Sequence, residues 1–272
     1  MIHRRCAWMA PLLLVVGTVA GAAPKDKCRP DTVKVGPSCI DKYEASVWQV
    51  PAGERKLVRK ILKGTVTLAD LTHAGAVQLG CTLPPFQLTE FPASFPNSGN
   101  WRATDGSRPT PGTYAVSVPG VLPTTCVSWF QAEQACALAD KRLPTNQEWQ
   151  RAAAGTPDPG LVDDGTDTCV TNGAAPAPTG SRRSCVSNWG IADMVGNVWE
   201  WTADWDEIPA MPCASFLAGD WGCLGGTGIS SDDPAAVIRG GYWPDGNFAG
   251  VFATWAARVD IAFDSVGFRC AR

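Results

Sequence analysis

The sequence predicts a single, loop-rich α+β domain held by disulfides, and three observations carry that prediction. Eleven cysteines occur in 272 residues, and all but Cys6 lie beyond residue 22. Two stretches carry helix-start signals, and short runs rich in β-branched and aromatic residues suit strands. Long segments rich in Gly, Pro, Thr and Asp separate these elements.

At the amino end, His3, Arg4 and Arg5 precede the apolar run APLLLVVGTVAGA, which closes on Ala20-Gly21-Ala22. That order predicts a secretory signal over residues 1–22, cleaved after Ala22. The run is about a dozen residues, short of the ~20 needed to cross a bilayer, so no membrane span is expected. A domain over residues 23–272 of a secreted or periplasmic protein follows. In that compartment the cysteines predict disulfides. Short loops favour Cys28 with Cys39, Cys169 with Cys185 and Cys213 with Cys223, leaving Cys81, Cys126, Cys136 and Cys270. No CxxC spacing occurs, which disfavours a metal-thiolate site.

Along the chain, DTVKVGPSCIDKYEASVWQV reads as two strands around a turn at Gly36-Pro37. The proline-rich stretch 80–125 reads as loops stapled to the core by Cys81 and Cys126. Ser128 and Gln131 have capping-box spacing at the start of one helix. Thr145 and Glu148 repeat it at a second, which Gly155 closes. Residues 156–190 return to loop, and NVWEWTADW and VIRGGYW read as strands. No internal repeat is visible, and about 250 residues suffice for one core.

Composition also excludes function classes. A net charge of −3 supplies no basic field for nucleic acid. His73 is the one histidine beyond the signal, which argues against a three-histidine iron site and leaves a Ser-His-Asp triad to His73 alone. Such a histidine is read as structural. Trp199, Trp201, Trp205 and Trp243 could wall a substrate site, but alternating strand aromatics are read as core. Arg142 and Arg239 are read as structural ion-pair partners.

The phrases CVSWFQAEQAC, KRLPTNQEW, DMVGNVWEWTADW, VIRGGYW and GFRCAR occur in order across 126–272. Together they resemble the formylglycine-generating enzyme (sulfatase-modifying factor) family. The resemblance implies a C-type-lectin-like fold and a bridge between Cys136 and Cys270. It also implies calcium on the Asp193 carboxylate, the carbonyls of Gly196 and Val198, and the Glu200 carboxylate. Calcium is a hard ion taking six to eight oxygens, which that donor set suits. The alternative is that Glu200 pairs with an arginine and Asp193 caps a turn.

Family chemistry oxidises a substrate cysteine at a copper(I)-binding pair of enzyme cysteines. The matching positions here are Gly250 and Trp255, and no cysteine occurs from 224 to 269. Copper is therefore not expected, no catalytic residue is assigned, and the expectation is a calcium-stabilised binding module. Acid-base work by Asp245, Asp260 and Asp264 is the lesser reading, because grouped acids usually form a solvated face. The closing segment also resembles retroelement-diversified variable proteins, whose mutated codons cannot encode Lys, Glu, Gln, Met or Trp. Residues 242–265 contain no Lys, Glu, Gln or Met, which makes Trp243 and Trp255 framework positions together with Gly240, Gly241 and Gly267 to Cys270. The expected surface for a protein or glycan ligand comprises Tyr242, Asp245, Asn247, Phe248, Thr254, Val259, Asp260, Ile261, Phe263 and Asp264.

Overall fold

A computed structural model describes residues 27–98, 112–205 and 235–272. The signal over 1–22 and the expected Cys213–Cys223 bond lie outside these residues. Strands β1 (Thr32–Val35) and β2 (Ser38–Asp41) form an antiparallel hairpin. Gly36 turns it at φ +58°, a left-handed conformation that glycine adopts without steric cost. The sequence reading extends two strands to residue 50, but Ser46–Val50 is a separate strand, β3, at the centre of a second sheet. Its neighbours are β4 (Val77–Leu79) and β5 (Gly112–Val116), both antiparallel to it.

Strand β5 corrects the expectation of loops throughout 80–125. All five of its residues are buried, so the run GTYAV has no polar-out alternation to mark it. Two further helices, α1 (Arg55–Lys63) and α2 (Leu68–His73), connect β3 to β4. The two helices read from the sequence are present as α3 (Trp129–Leu138) and α4 (Asn146–Ala152). Both have reciprocal capping boxes, Ser128 with Gln131 and Thr145 with Glu148, which satisfy otherwise orphaned backbone donors. Helix α4 ends at the Ala153 cap, before the expected Gly155.

The third sheet has the order β8 (Thr254–Arg258), β7 (Ala235–Arg239), β6 (Trp199–Trp205), β9 (Val266–Phe268). Strand β9 runs parallel to β6, and the other pairs are antiparallel. One apolar core joins both larger sheets: Val47 and Tyr114 meet Leu57, Val58 and Ile61 of α1, Ala132 and Ala135 of α3, and Trp201 and Phe268. A second cluster, containing Ile40, Trp149, Ile191 and Ala271, binds the hairpin to α4 and to the closing residues.

Those closing residues are held from several sides. Cys39 and Arg272 exchange backbone hydrogen bonds at 2.9 and 2.8 Å, and the Asp41 N–H donates to the Cys270 carbonyl at 2.9 Å. Arg142 and Ala271 exchange a further pair at 2.9 and 2.7 Å. The bridge implied by family resemblance, Cys136–Cys270, is present, as are Cys28–Cys39 and Cys169–Cys185. Cys81 and Cys126 pair with each other and anchor the proline-rich stretch.

The Cys136–Cys270 bond closes a separation of 134 residues, so its removal returns large loop entropy to the unfolded chain. The double substitution Cys136→Ser with Cys270→Ser is expected to lower unfolding free energy by about 2–5 kcal/mol, measured by urea denaturation. An unchanged midpoint would show that the bond contributes nothing to stability.

Candidate functional site

The turn between Ile191 and β6 carries three residues in the left-handed region, Asp193 (φ +57°), Gly196 (φ +71°) and Asn197 (φ +59°). At Gly196 a side chain is excluded, because a Cβ there would meet the Val170 carbonyl at 2.1 Å. This geometry places Asp193 and Asn197 beside Glu200, all three buried. The Asp193 carboxylate accepts hydrogen bonds from the Gly180 N–H at 2.6 Å and the Thr179 hydroxyl at 3.0 Å.

Both carboxylate oxygens of Glu200 are engaged. Its two oxygens accept from Arg269 Nε at 2.7 Å and Nη2 at 2.5 Å, and Oε2 also accepts from Trp149 Nε1 at 2.7 Å. Arg269 in turn donates to the carbonyls of Asp41 (3.2 Å), Ala192 (3.0 Å) and Asp193 (3.3 Å). Glu44, absent from the sequence reading, lies in the same cluster. Its Oε2 accepts from Asn197 Nδ2 at 2.6 Å, while Oε1 is buried without a partner. Burial, with the Asp193 and Glu200 charges beside it, pushes the Glu44 carboxyl well above its ordinary value. Burial likewise pushes Asp193 up to about 6.

Three buried carboxyl groups thus surround one buried guanidinium, and the orphaned Glu44 oxygen is a donor of the kind a hard cation takes. Among the described residues no three His, Cys, Asp or Glu side chains converge as a cage, so such a cation would need backbone carbonyls. The observed bonds also realise the alternative roles, Glu200 as the partner of Arg269 and Asp193 as the anchor of the 179–180 turn. Glu200 would have to offer a lone pair left over from those bonds.

The segment 242–265 divides between surface and core. Asn247, Phe248, Asp260 and Asp264 are exposed, and Tyr242, Asp245, Ile261 and Phe263 are half-buried. Thr254 and Val259, expected on the display face, are buried instead. Thr254 points inward from β8, with its hydroxyl donating to the Ile238 carbonyl at 3.4 Å, and Val259 packs into the main core. Tyr242 and Phe263 also pack against that core. Asp260 pairs with Arg258 at 3.0 Å. Asp245 accepts from the Tyr242 N–H at 3.0 Å, and burial pushes its carboxyl up to about 6.

The Tyr242 ring meets Trp243 edge-on at 4.9 Å, and Trp243 meets Phe86 at 5.9 Å. The proline-rich loop therefore adjoins the segment, a contact that only the Cys81–Cys126 staple hinted at. Between that loop and Ala262 lies a groove of about 560 Å³, walled by Phe91, Phe95, Gln131 and the Cys81–Cys126 bridge. Gln131 Nε2 fixes its floor by donating to the Phe95 carbonyl at 2.9 Å.

At the places of the copper-binding pair, Gly250 donates its N–H to the Gly240 carbonyl at 3.1 Å, and Trp255 pairs with Ile238 across the sheet. Trp199 and Trp201 are buried and Trp243 half-buried, but Trp205 is 48% exposed and departs from the core reading. Trp205 instead extends past the covered part of β6, edge-on to Trp129 at 5.2 Å. Arg142 forms a bidentate pair with Glu148 at 2.6 and 2.7 Å. Arg239 is buried over the Trp149 ring, 4.7 Å from its centroid, and donates to the Ala253 carbonyl at 2.8 Å. Arg142 is thus the ion-pair partner expected, whereas Arg239 is held by the Trp149 ring, backbone carbonyls and the Gln150 side chain. His73 is exposed at the end of α2, so it anchors no core.

These features define a disulfide-bonded α+β domain organised around a buried VGNxWEW turn. Residues 18–272 match the sulfatase-modifying factor enzyme 1-like domain, and the chain belongs to that family. A hercynine oxygenase of Mycobacterium tuberculosis is 32% identical over 153 residues, covering 53% of this chain and 34% of that protein. An inactive C-alpha-formylglycine-generating enzyme 2 of Bos taurus is 29% identical over 182 residues, 55% of this chain and 50% of its own. A tail fiber receptor-binding protein of Bordetella phage BPP-1 is 27% identical over 143 residues, 52% of this chain and 36% of its own. The chain therefore spans half or less of the length of each of these three relatives.

Replacing Arg269 by Met leaves three buried carboxylates with no guanidinium. Removing one partner of a buried pair costs about 3–5 kcal/mol, and Arg269→Met is expected to lose that much in urea denaturation. A loss below about 1 kcal/mol, the scale of an exposed pair, would contradict the role given to Arg269.

Proposed function

We propose that this protein is a secreted or periplasmic binding module of the family, without the family's oxidase chemistry. One observation carries the reading: the stretch 224–269 has no cysteine, and glycine and tryptophan stand where the copper-binding pair would be. Neither side chain supplies a thiolate for copper(I) or for disulfide exchange. The four disulfides among the described residues support an oxidising compartment. No helix among the described residues is long and apolar enough to cross a membrane.

The binding face is the exposed part of 242–265, namely Asn247, Phe248, Asp260 and Asp264 with the half-buried Tyr242, Asp245, Ile261 and Phe263. A protein or glycan is the ligand. An aromatic beside acids and small residues suits such contact. The relative named as a tail fiber receptor-binding protein supports display by this fold. Calcium, held by Asp193, the Gly196 and Val198 carbonyls and Glu200, offsets the buried negative charge and stiffens the turn beneath this face.

The competing reading is a divergent oxidase that converts a cysteine of a protein substrate to formylglycine. Incubation with copper(I) and a Cys-x-Pro-x-Arg peptide is expected to leave the thiol intact; loss of thiol with gain of aldehyde would establish the oxidase instead.

Calcium bound only by the native fold adds about 2.7 kcal/mol at a hundredfold excess over Kd. Chelation is expected to lower the melting temperature, and Asp193→Ala with Glu200→Ala to abolish that response. A double variant with full calcium dependence would move the ion elsewhere.

A further inference from the structure

Helix α1 carries Arg55, Lys56, Arg59, Lys60 and Lys63 and no acidic residue. Five of the chain's 23 lysines and arginines thus fall within nine positions of a protein whose net charge is −3. The helix turns Leu57, Val58 and Ile61 into the main core, and all five cations are exposed. Lys60 pairs with Asp70 at 2.5 Å; the other four form no ion pair among the described residues.

Helix stability does not account for this composition. Arg55 and Lys56 occupy the first turn, where the helix dipole disfavours positive charge. Along the axis, Arg55, Arg59 and Lys63 recur at four-residue spacing, about 6 Å per step. Beside them lies a hollow of about 630 Å³, bounded by Arg55, Lys56 and Arg59 from α1 and by His73 and Ala74 at the end of α2. Glu54 is the one carboxylate in its lining.

We propose that this face binds an anionic polysaccharide strand, whose sulfate or carboxylate groups lie along the Arg55–Arg59–Lys63 row and enter the hollow at Lys56. It is built wholly from residues outside 242–265. A repeating polyanion matches a row of evenly spaced cations, and it replaces the small counterions such a row attracts. Two other polyanions fit less well. Helices that seat in anionic bilayers expose an apolar face, whereas α1 buries its own. Single-stranded nucleic acid is gripped by stacking on aromatic side chains, and no Phe, Tyr or Trp lines the hollow.

The test uses heparin as probe, with the full chain purified under oxidising conditions. Retention on immobilised heparin is expected at about 0.15 M salt, where exposed charges more than ~8 Å apart are largely screened. The variant Arg55→Gln/Lys56→Gln/Arg59→Gln is expected to elute at lower salt, with an unchanged melting temperature. Its affinity should depend on salt with a slope shallower by about two to three. A control variant, Lys27→Gln/Lys34→Gln/Arg183→Gln, removes equal charge elsewhere and is expected to bind as the parent does. Equal weakening of both variants would reduce the effect to bulk charge and overturn the site. So would failure of the parent to bind. Should the triple variant fail to fold, acylation of the parent decides: heparin is expected to protect Lys56 and Lys63 but not Lys34. Uniform protection or none refutes the assignment. Phosphatidylglycerol vesicles and a single-stranded oligonucleotide serve as competitors, and displacement of heparin by either at equal charge concentration would overturn the polysaccharide assignment.

Discussion

Arg269 is the group on which the interior depends. Fully buried, it reaches Glu200 on β6, the carbonyl of Asp41 in the hairpin, and the carbonyls of Ala192 and Asp193 at the start of the buried turn. A charge can persist there only because nearly every donor on its planar fork has an acceptor. Three stretches distant in sequence, the hairpin, residues 192–200 and the closing residues, are therefore fixed in relation to one another by one side chain. Lys141 does comparable work nearby, pairing with Asp31 and Asp41 at 2.6 Å each.

That fixity explains how a domain with so much loop holds a definite shape. The strands are three to seven residues long, and long loops join them. Polar bonds between loops and strands add to that fixity. Thr124, for instance, donates from its hydroxyl to the Leu79 carbonyl at 2.8 Å and accepts from the Val47 N–H at 2.9 Å. The Thr124 hydroxyl is satisfied as donor and as acceptor, the condition under which buried polarity specifies one packing.

How far the sequence reveals this structure depends on whether the signal is local. The capping boxes of α3 and α4 are local, since cap and third residue lie within one turn, and they are where the spacing puts them. Short-loop disulfides are nearly so. Strand β5 is not, because GTYAV owes its state to pairing with β3 some 65 residues earlier. Residues 242–265 mix small and aromatic residues without a period, so nothing marks Thr254 and Val259 as inward-facing; pairing of β8 with β7 decides it. Glu44 escapes for a similar reason. Its partner Asn197 is 153 positions away, and no spacing rule connects them. Helix α1 shows the opposite failure, for a whole-chain charge averages away a field concentrated on one short helix.

The position of the closing strand governs the order of assembly. Asp41 Oδ2 accepts from the Cys270 N–H across 229 positions, and β9 inserts Phe268 into a core whose other walls come from β3, α1 and α3. During synthesis the hairpin and second sheet emerge long before the segment that covers them, leaving apolar surface open to solvent. Contacts at such separations make folding slow, because chain entropy is lost before the contacts that compensate it form. Until residues 266–272 dock, the main core lacks the wall that Val266, Phe268 and Cys270 supply.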